Sequence, residues 1–246
     1  IVFGDWSSDV CSSDLDECYG IKAITGMWAE KGKNLSATLF ASVRCSAFEK
    51  MYESLTNYAP GIFIDVPPDN TPEAHEVAVQ EVYKVAEQLE QITGHTITNS
   101  DLYKVAEATN ACKDYSWKLI EMALGDYYPF NPITMAQFLA LIEIGFQDYL
   151  GDPYRFRDLL KGITLEFDRI GKHTESVFEA SKYKKILFTS RFGGWDHIVE
   201  DYAFEQGGRI IYADWFLYGF MDRIKLTGDM FENYATYLQS NAPGFC

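Results

Sequence analysis

Two cysteines, Cys18 and Cys45, carry the side chains in this chain best suited to redox or metal chemistry. They lie in Glu17-Cys-Tyr-Gly-Ile-Lys22 and Val43-Arg-Cys-Ser-Ala-Phe-Glu-Lys-Met-Tyr-Glu53. A cysteine in such a stretch is a metal ligand, a reactive thiol or small core filler, and filler is the commonest outcome for an isolated one. Closely spaced cysteines of the C-x2-C kind, which usually announce iron-sulfur sites, do not occur. Of the other three, Cys112 sits in a helical pattern and reads as packing, Cys246 ends the chain, and Cys11 belongs to the unusual segment treated below. His75, His95, His173 and His197 are scattered, without an i, i+4 pair or H-E-x-x-H, which argues against a zinc enzyme. No G-x-S-x-G elbow or Ser/His/Asp order is present.

Further chemistry is available where strands are expected to end. Arg191-Phe-Gly-Gly194 bridges a strand and a helix, and its paired glycines could let a backbone approach a phosphate. It lacks both G-x-G-x-x-G and the Walker Lys-Ser/Thr, so a plain tight turn competes with it and ATP is not expected there. Asp65 and Asp214 also fall at expected strand ends, where an acid faces a crevice or serves a turn. Tyr127, Tyr128, Phe130, Trp195, Trp215, Phe216 and Tyr218 could wall an acyl pocket or fill a core.

The elements that must position these residues follow from periodicity. Residues 35–43 form an apolar, β-prone run. Residues 46–56 have helical spacing, with Phe48, Met51, Tyr52 and Leu55 on one side, and residues 61–66 form a second apolar run. This strand, helix, strand unit places Cys45 at a strand's carboxyl end, where ligands gather in open α/β sheets. A helix N-terminus there, with its free N–H groups and positive dipole end, would favour a thiolate or an anionic cluster. Thr71 as N-cap and Pro72 at the first helical position open a largely helical stretch. Helices are expected over 72–93, 100–124, 133–149 and 153–170, broken at Gly94, Gly125, Asn131-Pro132 and Gly151-Asp-Pro153. A second α/β pattern follows: strand 185–190, helix 195–206, a Gly207-Gly208 stop, strand 209–213, and then a helical pattern over 229–239. Short Gly-marked turns between alternating strands and helices imply parallel pairing.

Residues 6–15 read Trp-Ser-Ser-Asp-Val-Cys-Ser-Ser-Asp-Leu, the translation of TGG AGT TCA GAC GTG TGC TCT TCC GAT CT once its last codon is completed. That string resembles a common short-read sequencing adapter. Residues 1–15 are therefore set aside as a foreign segment and stray N-terminus, as any fusion scar would be. The segmentation expected from sequence is then 16–70 as a first α/β unit, 71–182 as a helical segment, and 183–246 as a second, incomplete α/β unit. An abrupt end after a helical segment and a start without Met suggest a fragment.

Composition limits the function classes. With 246 residues, 47% hydrophobic and 15% aromatic, the chain can bury a large core. No stretch approaches the roughly 18 apolar residues of a membrane span, and no secretory leader is visible. A formal charge of −15 argues against nucleic acid as partner. It also requires any pocket for a phosphate-bearing ligand to gather locally a few of the 21 basic residues. Five scattered cysteines do not make a disulfide framework, and a reducing cytoplasm fits them best.

Taken together with Phe63-Ile-Asp-Val-Pro-Pro68, the two cysteine stretches resemble the 2-hydroxyacyl-CoA dehydratase and benzoyl-CoA reductase family, in its cluster-binding D-component-like subunit. The resemblance runs on through Thr71-Pro-Glu-Ala-His75, Leu89-Glu-Gln-Ile-Thr-Gly94 and residues 195–208. It implies a fold of two Rossmann-like parallel-sheet units flanking a largely helical segment, the second unit truncated. It also implies that Cys18 and Cys45 are ligands of an oxygen-sensitive [4Fe-4S] cluster. The cysteine of the D-E-x-C-x-G stretch shown by some members is replaced by Leu217 in Asp214-Trp-Phe-Leu-Tyr-Gly219. The implied third ligand then lies beyond Cys246, and with two thiolates the chain alone is expected not to hold a stable cluster.

The implied reaction is loss of water from an (R)-2-hydroxyacyl-CoA after one-electron activation. An ATP-dependent activator protein supplies the electron, the thioester carbonyl becomes a ketyl radical anion, and the α-hydroxyl leaves. A homologous second dehydratase subunit is the other implied partner. Lys22, where the family often has Arg, could balance cluster charge or meet CoA phosphate, with a solvated Lys22 as the plain alternative, and Arg191, Gly193 and Gly194 of the glycine turn are the other candidate substrate contacts. A benzoyl-CoA reductase subunit and a non-catalytic α/β ligand-binding paralogue remain as alternatives.

Overall fold

The structure is a computed structural model of the chain. It describes residues 25–26, 29–31, 35–42, 51–53, 55–56, 60–67, 69, 71–128, 142, 145, 151–171, 178–188, 197–213 and 222–241. The described chain is mixed, mostly helical, with small parallel sheets. It forms two compact units, one of Ile1–Asn99 with Gly228–Cys246 and one of Ser100–Thr227. This division by compactness falls at 99/100 and 227/228, and in it a helix near the end of the chain belongs to the first sheet's unit.

In the first unit, β1 (Thr38–Ser42) and β2 (Gly61–Asp65) pair in parallel, with Thr38 opposite Gly61 and Ser42 opposite Asp65. The expected strand, helix, strand order is present, residues 51–53 and 55 being helical between the strands. The pleat sends Ile62, Ile64 and, just past the strand, Val66 to one face, where they are buried against Val85 with Val82, Leu89 and Leu238 around them. Helix α1 (Pro72–Thr93) supplies that cover. Thr71 Oγ1 accepts the Ala74 N–H at 3.2 Å, Pro72 sets the first turn, and Gly94 at φ 70° closes the helix in a conformation that only glycine adopts without strain.

The last helix of the described chain, α5 (Met230–Asn241), lies against α1. The rings of Tyr83 and Phe231 stack with centroids 4.3 Å apart, and the Tyr83 hydroxyl donates to Asp229 Oδ2 at 3.1 Å. His75 Nδ1 meets Gln239 Oε1 at 2.8 Å, and Gln239 Nε2 donates to the Asp69 carbonyl at 3.3 Å. Asn99 Oδ1 accepts the Met230 N–H at 2.7 Å, satisfying one orphan donor at the start of α5.

In the second unit, α2 (Asn99–Leu124) runs into β3 (Tyr127–Tyr128), followed by α3 (Pro153–Gly171), β4 (Phe178–Glu179) and a 3-10 turn (Ala180–Lys182). Then come β5 (Lys184–Phe188), α4 (His197–Glu205) and β6 (Gly208–Ala213). β5 and β6 are parallel, with a register irregularity between Ile186 and Leu187. The antiparallel pair β3 and β4 was not expected from the sequence. The core here gathers Cys112, Leu119, Ile120 and Ala123 of α2, Phe156, Leu160 and Phe167 of α3, and Tyr128, Ile142 and Ala180. Helices expected over 72–93, 100–124 and 153–170 are present within a residue at each end. Most of the 133–149 helix lies outside the described residues, although Ile142 and Gly145 are helical.

Candidate functional site

The two parallel pairs define two carboxyl edges, one in each unit. In the first, Ser42 and Asp65 are the final partners, and Cys45 follows Ser42 by three positions in the sequence. Asp65 is exposed, and its backbone N–H points to Glu81 Oε2 at 3.4 Å, while Glu81 also receives Lys84 Nζ at 2.9 Å. A carboxylate standing free of a cap is compatible with a crevice, and Asp65 does not cap α1, since Thr71 does. In the second unit Phe188 and Ala213 are the final partners; Arg191 follows three positions after the one and Asp214 directly after the other.

Cys18, Lys22, Cys45, Arg191, Gly193 and Gly194 themselves lie outside the described residues, as do Cys11, Cys246 and the stretch 214–219. The convergence of the Cys18 and Cys45 sulfurs on one crevice, expected from the cluster reading, therefore also falls outside them. Of the aromatic residues named as a possible acyl wall, Tyr128 is a fully buried core residue and Tyr127 is exposed; the other five lie outside. His75 is a packing residue held by Gln239, and His95 is exposed.

The described residues include a single cysteine. Cys112 is the free cysteine among them, and it is fully buried with its Sγ 3.5 Å from the Pro153 carbonyl oxygen. Burial pushes its thiol up to about 12, whereas a metal ligand must be a thiolate. Cys112 is core filler, as its helical setting suggests. Among the described residues no three His, Cys, Asp or Glu side chains come together to hold a metal ion.

A family model described as 2-hydroxyglutaryl-CoA dehydratase, D-component, matches residues 7–246. The chain belongs to this family. As a member of the dehydratase D-component family it is a component of a 2-hydroxyacyl-CoA dehydratase-type system, a lyase built from more than one subunit. The match covers both parallel pairs and both cysteine stretches, and it begins inside the segment set aside as foreign. No curated protein matches the chain. No described helix of this D-component family member is long and apolar enough to cross a membrane.

Sequence reasoning overlooked a set of polar residues on α2, two of them buried. Asn110 binds both backbone groups of Ile224, its Nδ2 donating to the carbonyl at 2.8 Å and its Oδ1 accepting the N–H at 3.0 Å. Lys113, buried one turn further along, donates from Nζ to the Asp222 carbonyl at 2.6 Å, and burial lowers its ammonium to about 8. Asp114 pairs with both Nη groups of Arg223. Together they pin residues 222–224 along α2. The available hint was polar residues at i and i+3 beside the buried Ala106 and Ser116, a pattern that also fits a solvated face.

Proposed function

We propose that this chain is the iron-sulfur subunit of a 2-hydroxyacyl-CoA dehydratase, acting on an (R)-2-hydroxyacyl-CoA in the cytoplasm with a homologous second subunit and an ATP-dependent activator. The observation that carries the proposal is the family match over residues 7–246. The parallel β1–β2 pair, ending just before Cys45, supports it. In this reading the two parallel pairs are the beginnings of Rossmann-like units.

Cys18 and Cys45 are the proposed thiolate ligands of a [4Fe-4S] cluster, which when bound supplies and takes back a single electron. The chain's own residues position and neutralise. Cys45 follows β1 in the sequence, and a helix beginning at 46, as the sequence spacing predicts, would offer free N–H groups that stabilise negative charge. Lys22 and Arg191 are proposed to meet CoA phosphate, Arg191 by its two-donor fork and Lys22 as a point charge. Gly193 and Gly194 let the backbone approach the acyl-CoA without a Cβ in the way. In a chain of net charge −15, such local cations are what allow a polyanionic substrate to approach.

The test is anaerobic incubation with ferrous iron and sulfide of a longer version that continues past Cys246 and includes the implied third ligand, followed by desalting and measurement of retained iron and of thiolate-to-iron absorption. Retention should fall in Cys18→Ser and again in Cys45→Ser, while Cys112→Ser leaves it unchanged. Equal retention in wild type and in both single variants refutes the assignment and favours a ligand-binding protein without a cluster.

A further inference from the structure

We draw no further inference here: the strongest candidate, the aromatic patch at the amino edge of the β5–β6 pair, where the rings of Phe178, Tyr183 and Phe204 meet and β3 leaves Tyr127 exposed, carries nothing because nothing in the structure shows what covers it.

Discussion

Lys113 makes the stability of this protein rise with pH in a range where most proteins are already declining. Its ammonium is lowered to about 8 from an ordinary 10.5, chiefly by burial; the Asp222 carboxylate pulls it up and Arg223 pushes it down. Below pH 8 the group is charged in both folded and unfolded chains, and the folded state carries the desolvation penalty. Between pH 8 and 10.5 the folded chain releases the proton first, so stability rises by up to about 1.4 kcal/mol per pH unit. Over the whole window this amounts to about 3 kcal/mol. Cys112 acts in the opposite sense: its thiol is raised from 9 to about 12, so above pH 9 the unfolded chain ionises first and stability falls. The wild type should therefore gain about 1 kcal/mol from pH 8 to 9 and then level off, as the two slopes cancel. Urea unfolding followed by tryptophan fluorescence from pH 7 to 10.5 measures this directly. Lys113→Met should show no rise and a decline beginning near pH 9, while Cys112→Ala should keep rising past it. A stability difference between wild type and Lys113→Met that stays constant across pH 8–10.5 refutes the argument.

Asn110→Ala should destabilise by about 2–4 kcal/mol in the same urea assay, because it strands the buried N–H and carbonyl of Ile224; a loss below that of an exposed helix substitution would mean water replaces the amide. Gly208→Ala should lower the melting temperature, since a Cβ there meets Ile186 Cδ1 at 2.5 Å and the Ala203 carbonyl oxygen at 3.0 Å, and Ile186→Val should partly restore it. Deleting residues 1–15 should leave the unfolding free energy within about 2 kcal/mol, the low end of real core deletions, if that segment is foreign; a larger loss on urea unfolding would make it native.

The elements that were legible are those whose ends carry their own chemistry. Thr71-Pro72 and Gly94 bound α1, and Asp152, whose Oδ1 accepts the Tyr154 and Arg155 N–H groups, opens α3 just before Pro153. Parallel pairing followed from apolar runs separated by helix-length spacers. The β3–β4 pair was not legible, since two residues at 127–128 and two at 178–179 carry no periodicity and no turn joins them. Arg209 was hidden for a related reason. A charged residue within Gly-Arg-Ile-Ile-Tyr reads as solvent-facing, and what receives it is the Gly125 carbonyl, 84 positions earlier. Cys18 and Cys45 lie outside the described residues and are singled out by resemblance alone, because spacing favours filler; Cys112 shows that filler is a real outcome in this chain.

The return of α5 to the first unit bears on how the chain is made. His75 and Gln239 are 164 positions apart, so α1 emerges from the ribosome long before the helix that covers it. The intervening unit can reach its own core in the meantime, since Cys112, Phe156, Tyr128 and Ala180 all lie within Ser100–Thr227. The entropy of closing so large a loop grows only logarithmically with its length, and an already compact insert shortens the flexible span. Synthesis should therefore pass through a state in which one unit is folded while the apolar side of α1 awaits its last neighbour. In that interval the nascent chain exposes the Tyr83 face, and a chaperone that shields such surface would act there.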